Sequence, residues 1–169
     1  LTASSNVNVV FNSWSHVALT YDGFNVKIYV NGQLGLDTSL NGNVVNKGGS
    51  IYLGRRAGLG TAFNGGMDNY MYWNQVRTTT QIRTDMHLKR PIMSNANLIQ
   101  NLRFDEGGGA SILADMSGNC NIGLMNNFDF NNLTATPAWF ISSLPLDTTI
   151  GVMQTINSAT NTAFANKRI

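Results

Sequence analysis

Apolar and polar positions alternate along residues 14–36, and two turn dipeptides interrupt the alternation. A period of two residues predicts β-strands, because successive strand side chains point to opposite faces of a sheet. The interruptions are Asp22-Gly23 and Asn31-Gly32, which accept the positive φ angles of tight hairpin turns. The pattern therefore predicts a meander of three strands, which span residues 14–22, 24–30 and 33–36.

One face of this meander is expected to belong to the hydrophobic core. Strict alternation places its large apolar side chains on the same side of the sheet. The residues expected to point into the core are Val17, Leu19, Ile28 and Val30. We expect them to fill the gap between two stacked sheets, as in a β-sandwich.

The rest of the chain predicts further short strands separated by Gly- and Asn-rich loops. These strands are expected at Ile51–Gly54, Gly66–Trp73, residues 97–104 and Trp139–Ile141. Residues 78–86 are the one good helix candidate, since Thr78 or Thr79 can cap the helix and Ile82 and Met86 share one side. Many short strands with turn signals favour an antiparallel β-sandwich.

Composition narrows the class of protein. Charged residues make up 12% of the chain, about half the usual quarter, and Asn, Thr and Ser take their place, as is typical of secreted β-proteins. Cys120 is the single cysteine, so stability must come from a sheet core or a metal rather than from an internal disulfide. These features favour an extracellular or cell-surface protein of bacterial type.

Charge and hydropathy exclude two classes of partner. The basic residues are scattered rather than gathered into a stripe that could follow phosphates, so we expect no nucleic-acid binding. No apolar run approaches the roughly 18 residues of a spanning helix, so we expect no membrane insertion. Leu1 is not an initiator methionine and no leader-like segment precedes the first strand, which favours an internal piece of a longer precursor.

Three motifs in a fixed order resemble the laminin-G-like jelly rolls of the concanavalin A-like lectin/glucanase group. The first is WSHVALTYDG with VKIYVNG, at residues 14–23 and 26–32. The second is FNGGMDN at residues 63–69, followed by Trp73, Arg77-Thr78 and Gln81-Ile82. The third is FDEGGG at residues 104–109, followed by Asp115, Ser117-Gly118-Asn119, Gly123 and, further on, Trp139.

This resemblance implies an all-β fold, an antiparallel β-sandwich of the concanavalin A-like jelly-roll type. It implies a laminin-G-like domain over residues 1–144, the C-terminal part of an incomplete module that lacks its N-terminal strands. Residues 145–169 are expected to be a linker or the start of a following module. Another segment of the precursor, or another chain, is expected to cover the edge that the missing strands leave open.

The resemblance also implies one structural calcium ion. Jelly rolls of this family often hold calcium between the third motif and the strand of the second motif. The resemblance therefore implies that the calcium ligands are Asp115, Asn119 and Asp68. Calcium takes six to eight oxygen ligands, and this turn offers carboxylate and amide groups. The alternative is a cluster of Asx turns that needs no ion. Cys120 stands where the family often has glycine, so a positive φ is expected there.

Exposed aromatic side chains and loops are the candidates for ligand binding. Tyr70 and Tyr72 lie on the strand face opposite Trp73, and Trp139 is the least constrained tryptophan; all three could contact a sugar. Trp14 and Trp73 are expected in the core. The loops at residues 37–49 and 55–64 are expected to carry recognition, because a rigid scaffold positions them.

No convergent catalytic group is evident. Asp105 and Glu106 are adjacent, so on a strand they point to opposite faces and cannot flank one glycosidic bond. His16 has no Ser, Cys or Asp partner placed by sequence, which favours a structural histidine.

The sequence therefore predicts a non-catalytic extracellular module for binding or adhesion, within a large secreted or cell-surface protein. Its partner is expected to be a glycan or a cell-surface or matrix protein. Two alternatives remain open: a structural spacer module in a filamentous surface adhesin, and an accessory domain of a carbohydrate-active enzyme. A hydrolase or lyase domain is the least favoured class.

Overall fold

The computed structural model describes residues 4–44, 48–54, 63, 65–88, 95–107 and 110–125. Within these residues the chain forms short antiparallel strands and one short helix. The elements are β1 (Val17–Tyr21), β2 (Asn25–Val30), β3 (Gln33–Ser39), β4 (Tyr70–Trp73), α1 (Thr79–Asp85), β5 (Leu98–Leu102), β6 (Ile112–Leu113) and β7 (Gly123–Leu124). The all-β fold class is confirmed.

The chain divides into two compact units. The first comprises Leu1–Gly66 and Val76–Leu88, and the second comprises Met67–Gln75 and Lys89–Ile169. The first unit contains β1, β2, β3 and α1, and the second contains the remaining strands.

The sheet of the first unit is the meander that the alternation predicts, in the order β1-β2-β3. Leu19 lies opposite Ile28, and Tyr21 lies opposite Val26. Asn31 and Gly32 have φ angles of 50° and 71°, the conformation that a two-residue type I′ turn requires.

The β1–β2 turn is held by a side chain as well as by backbone geometry. The Asp22 Oδ1 atom accepts hydrogen bonds from the backbone N–H groups of Phe24 and Asn25, at 2.8 and 2.6 Å. Gly23 supplies the positive φ, at 96°. These local features explain why the sequence predicts both hairpins.

Helix α1 begins at a capping box. The Thr78 hydroxyl accepts from the Gln81 backbone N–H at 3.2 Å, and the Gln81 side chain accepts from the Thr78 backbone N–H at 2.9 Å. Ile82 is buried, and the Arg83 side chain donates to the Gly32 carbonyl at 3.0 Å. The predicted helix and its Thr78 cap are confirmed, and the helix is anchored to the β2–β3 turn.

In the second unit, β4 pairs with β5 and β6 pairs with β7, both antiparallel. Leu102 forms an isolated bridge with Asp115, which joins β5 to the segment after β6. Leu98, Leu102 and Leu113 are buried and form the apolar interior of this unit.

Three strand predictions differ from the structure. The third strand of the meander was predicted to end at residue 36, but β3 continues to Ser39, within the predicted loop at residues 37–49. Ile51–Gly54 forms no strand, and its last residue, Gly54, has a φ of 75° rather than an extended conformation. The strand predicted from Gly66 begins only at Tyr70, since Asn69 adopts a φ of 54°. The strand predicted at Trp139–Ile141 lies outside the described residues.

The predicted core face is only half correct. Val30 is buried, with 3% of its surface exposed, but Val17 and Leu19 are 57% and 66% exposed. Alternation indicates which side chains share a face, but it does not indicate whether anything covers that face. β1 is also an edge strand of the described sheet, and the exposure of Val17 and Leu19 shows that the described residues leave this part of the face uncovered.

Among the residues that the structure describes, none belongs to a helix long and apolar enough to cross a bilayer.

Candidate functional site

An open pocket of about 400 Å³ lies in the first unit, between the sheet and the segment that follows β3. β1 and β2 supply its floor, and the segment after β3 supplies its rim. Its lining residues are Leu19, Tyr21, Val26, Leu40, Asn41, Gly42, Asn43 and Val44. A volume of this size falls within the range of small-molecule binding sites, which is roughly 300–1,000 Å³.

Tyr21 fixes the position of the rim relative to the floor. Its hydroxyl lies 3.0 Å from the Gly23 carbonyl oxygen and 2.9 Å from that of Leu40, and it also contacts the Gly42 carbonyl. The Leu40 N–H in turn donates to the Phe24 carbonyl at 2.7 Å. These bonds tie the segment after β3 to the β1–β2 hairpin, so the pocket is largely preformed.

The wall of the pocket is mainly apolar, and amide groups lie only at its rim. Leu19, Val26 and the Tyr21 ring make an apolar floor, while Asn41 and Asn43 are exposed amides at the rim. Amides both donate and accept hydrogen bonds. An apolar surface beside such groups suits a ligand that has an apolar face and a periphery of hydroxyl groups.

Sequence reasoning identified this site in part. The loop at residues 37–49 was expected to carry recognition, and its residues 40–44 do line the pocket. The floor was missed, because Leu19 was assigned to the core.

The predicted ligand-binding tyrosines lie in the second unit. Tyr72 on β4 is 44% exposed and lies opposite Gln100 of β5. Tyr70 lies opposite Leu102 and is half-buried, and this burial raises the pKa of its phenol. Tyr72 and Gln100 thus place an exposed aromatic ring beside an amide, whereas Tyr70 is less accessible. Trp139 lies outside the described residues.

The predicted calcium ligands Asp115 and Asn119 belong to one loop. The hydroxyl of Ser117 links their two side chains by hydrogen bonds. This hydroxyl donates to Asp115 Oδ2 at 2.8 Å and accepts from Asn119 Nδ2 at 3.0 Å. Cys120 has a φ of 59°, so the expected positive φ at this position is confirmed.

Both oxygens of the Asp115 carboxylate accept two hydrogen bonds. Oδ1 accepts from the backbone N–H groups of Asn101 and Ser117, each at 2.9 Å. Oδ2 accepts from the Ser117 hydroxyl at 2.8 Å and from the Asn121 N–H at 2.9 Å. Burial acts to raise the pKa of Asp115, but the bonds from Ser117, Asn101 and Asn121 outweigh it and lower the pKa below its usual value.

This donor set does not fit a calcium ion at Asp115. A carboxylate offers about four acceptor sites, and all four are filled. Asp68 precedes β4 in the same unit. Across the described ranges, no three His, Cys, Asp or Glu side chains are grouped to hold a metal. Calcium binding stays a prediction.

The candidate catalytic residues have structural partners. Glu106 Oε1 accepts from the Ala114 N–H at 2.8 Å. The His16 backbone N–H donates to Asn31 Oδ1, and the His16 carbonyl accepts from the Asn31 N–H, both at 2.8 Å. The His16 backbone therefore helps to close the β2–β3 turn, whereas the Nδ1 atom of its ring is buried without a hydrogen-bond partner, so the structural role expected of the imidazole stays a prediction.

Comparison with known proteins extends these observations. A crystal structure from Bacteroides ovatus, of a protein provisionally named a carbohydrate binding protein, is similar with a TM-score of 0.56. The sequences are 23% identical over 72% of this chain and 39% of that chain, so this chain spans well under half of that protein's length. At this identity the likeness shows the fold. No curated protein matches the sequence.

A family model identifies a superfamily to which part of the chain is similar. The model described as the concanavalin A-like lectin/glucanases superfamily matches residues 1–83. This stretch includes the whole β1-β2-β3 sheet, the pocket and most of α1. Residues 1–83 are therefore similar to the concanavalin A-like lectin/glucanases superfamily, and the resemblance inferred from the motifs is confirmed.

Proposed function

We propose that this chain is a non-catalytic carbohydrate-binding module and that a saccharide occupies the pocket between the sheet and the segment after β3. The observation that carries the proposal is the pairing of an apolar floor with exposed rim amides in one preformed concavity. The match of residues 1–83 to the superfamily and the name of the similar Bacteroides ovatus protein support a saccharide as the ligand.

The pocket supplies both kinds of contact that a sugar ring needs. The C–H face of a pyranose can pack on Leu19, Val26 and the Tyr21 ring, and its hydroxyls can pair with Asn41 and Asn43. Because Tyr21 already fixes the rim, binding requires little further ordering of the chain, and this reduces the entropic cost of association.

A glycan array followed by titration calorimetry tests the proposal. Replacing both rim amides (Asn41→Ala with Asn43→Ala) removes about two hydrogen bonds to the ligand, each worth roughly 1 kcal/mol. We expect the affinity of the best array ligand to fall by about tenfold or more. The matched control is Asn8→Ala, an exposed asparagine of the same unit outside the pocket, which should bind as the wild type does.

Two results would contradict the proposal. Absence of binding across a broad array would favour the spacer module instead. Binding that both the double variant and the control retain fully would place the saccharide elsewhere, with the exposed Tyr72–Gln100 pair as the next candidate. That site is tested by Tyr72→Ala in the same titration.

The non-catalytic part of the proposal has its own test. Incubation of the bound oligosaccharide with the protein should leave its chain length unchanged by mass spectrometry. Release of shorter products or of unsaturated ends would instead assign the domain to the hydrolase or lyase class.

We also infer an extracellular or cell-surface location within a larger protein, where the module serves adhesion or assists a carbohydrate-active enzyme. The low fraction of charged residues and the single cysteine support this location. Protease treatment of intact cells should remove the module from the host protein, and protection until the cells are lysed would contradict the inference.

The open edge of β1 supports a further polypeptide partner. Val17 and Leu19 are exposed on an edge strand, and such an edge readily pairs with an added strand. We infer that another segment of the precursor, or another chain, adds a strand here. Amide hydrogen exchange of residues 17–21 should slow in the longer protein, and unchanged exchange would argue against the added strand.

A further inference from the structure

The two asparagine side chains of the loop formed by residues 115–121 direct nitrogen atoms, rather than oxygen atoms, at the carbonyls of β5. Asn119 Nδ2 donates to the Leu98 and Ile99 carbonyls at 2.8 and 3.2 Å, and Asn121 Nδ2 donates to the Ile99 carbonyl at 2.8 Å. Calcium coordinates oxygen atoms, and here the strand carbonyls that could serve already accept from amides.

A negatively charged group already occupies the centre of this arrangement. The donors of Asn101, Ser117 and Asn121 converge on the Asp115 carboxylate. Converging backbone N–H groups form an anion-binding concavity, and in this protein the anion is a side chain of the same loop. The charge that calcium would neutralise is therefore compensated by hydrogen bonds.

The same contacts attach the loop to β5 along its length. Asp115 accepts from the N–H of Asn101, the Ser117 hydroxyl donates to the Ile99 carbonyl at 3.1 Å, and Asn119 reaches the Leu98 carbonyl. The Met116 N–H also donates to the Asn101 carbonyl at 2.8 Å. The loop thus lies against one strand through both backbone and side-chain bonds.

From this arrangement we propose that the 115–121 loop is closed on β5 by hydrogen bonds alone, and that Asp115 and Asn119 bind no calcium. Asp115 acts as an internal anion that organises the loop. The inference does not depend on the proposed carbohydrate binding, and it differs from the role that the superfamily resemblance implies for these two residues.

The first test uses the unmodified protein. In ¹H–¹⁵N spectra, the amide resonances of Asn101, Ser117 and Asn121 should not change between EDTA and millimolar calcium chloride. Saturable calcium-dependent shifts of these amides would overturn the proposal.

The second test compares thermal unfolding of the wild type and Asp115→Asn, each in EDTA and in calcium. The variant replaces one carboxylate oxygen with an NH₂ group, so two of the four bonds are lost and the Tm should fall equally under both conditions. Asp37→Asn, an exposed carboxylate paired with Lys27 at 3.1 Å, is the control and should change the Tm little.

The second test distinguishes Asp115 as a hydrogen-bond acceptor within the loop from Asp115 as a calcium ligand. A calcium-induced rise in Tm that Asp115→Asn abolishes overturns the proposal, since Asp115 would then be a ligand. The same calcium response in both proteins supports the proposal, because any ion must then bind elsewhere. If the variant does not fold, the spectra of the wild type decide.

Discussion

Single residues in this molecule carry contacts that their type alone does not reveal. Tyr21 could be an ordinary core aromatic by sequence, but its hydroxyl reaches carbonyls of two different turns. Asp115 could be a metal ligand by resemblance, but its oxygens are fully hydrogen-bonded. Residue types and spacing suggest candidates, whereas the direction of each polar atom decides between them.

We predict that His16 makes the free energy of unfolding depend on pH. Its Nδ1 atom is buried without a hydrogen-bond partner. Burial lowers the pKa of the imidazole, Asp85 partly opposes this effect, and the charge of His87 adds to it. A histidine with a lowered pKa in the folded state binds protons more weakly than it does in the unfolded chain.

The contribution of His16 to the free energy of unfolding should be complete above the ordinary histidine pKa and should decrease as the pH falls below that pKa. We expect urea unfolding between pH 7 and pH 5 to show a falling free energy of unfolding, with a smaller slope in His16→Gln. An identical slope in both proteins would show that His16 does not contribute.

Among the strands, turns and helix, the sequence correctly predicts those features that depend on neighbouring residues. Both hairpin turns and the Thr78 cap follow from residues within a few positions of one another, and all are confirmed. The predicted strand start at Gly66 was wrong, because Asn69 adopts a φ of 54° and the strand begins only at Tyr70. The pocket floor was missed because exposure of Leu19 depends on what lies beyond the sheet.

The capping box gives a prediction for α1. Thr78→Ala removes the side-chain acceptor for the Gln81 N–H and should lower the free energy of unfolding by about 1 kcal/mol. Thr80→Ala is the matched control, since Thr80 is an exposed position within the same helix. Thermal or urea unfolding checks both variants, and equal losses would mean that the cap contributes nothing specific.

The attachment of the N-terminal segment to β3 gives a second prediction. The Asn6 N–H donates to the Gly35 carbonyl at 2.8 Å, and a Cβ atom at Gly35 would lie 1.9 Å from Ser5 Oγ and 3.2 Å from Val7 Cβ. Gly35→Ala should therefore destabilise the fold by about 1–3 kcal/mol. Gly49→Ala, where an added Cβ meets nothing within 4 Å, should have a much smaller effect in the same unfolding assay.

Across the described residues, apolar side chains of the edge strand β1 are exposed at the surface. Val17 and Leu19 on β1 are more than half exposed, although the sequence predicts them as core. The alternation correctly predicts which side chains share a face, since Val17 lies directly opposite Val30, which is buried. Coverage of a face is a property of the complete assembly, so one chain's sequence cannot reveal it.

This edge predicts self-association of the isolated chain, because an uncharged strand edge readily pairs with another copy. Sedimentation velocity should show association that grows with protein concentration. Val17→Lys places a charge on the edge and should shift the distribution towards monomer, while Thr80→Ala should leave it unchanged. A monomer at all concentrations would show that the exposed edge is protected by other means.

The meander of β1, β2 and β3 has a kinetic consequence as well. Each strand pairs with its neighbour in sequence across a turn of a few residues, so closing these loops loses little chain entropy. Sheets built from such nearby pairings form rapidly compared with those that join distant segments. In refolding with pulsed deuterium labelling, the amides of residues 17–39 should gain protection before those of β4 and β5, whose pairing spans a longer stretch of chain. A polypeptide leaving the ribosome would then complete this ribbon before the remaining strands have been synthesised.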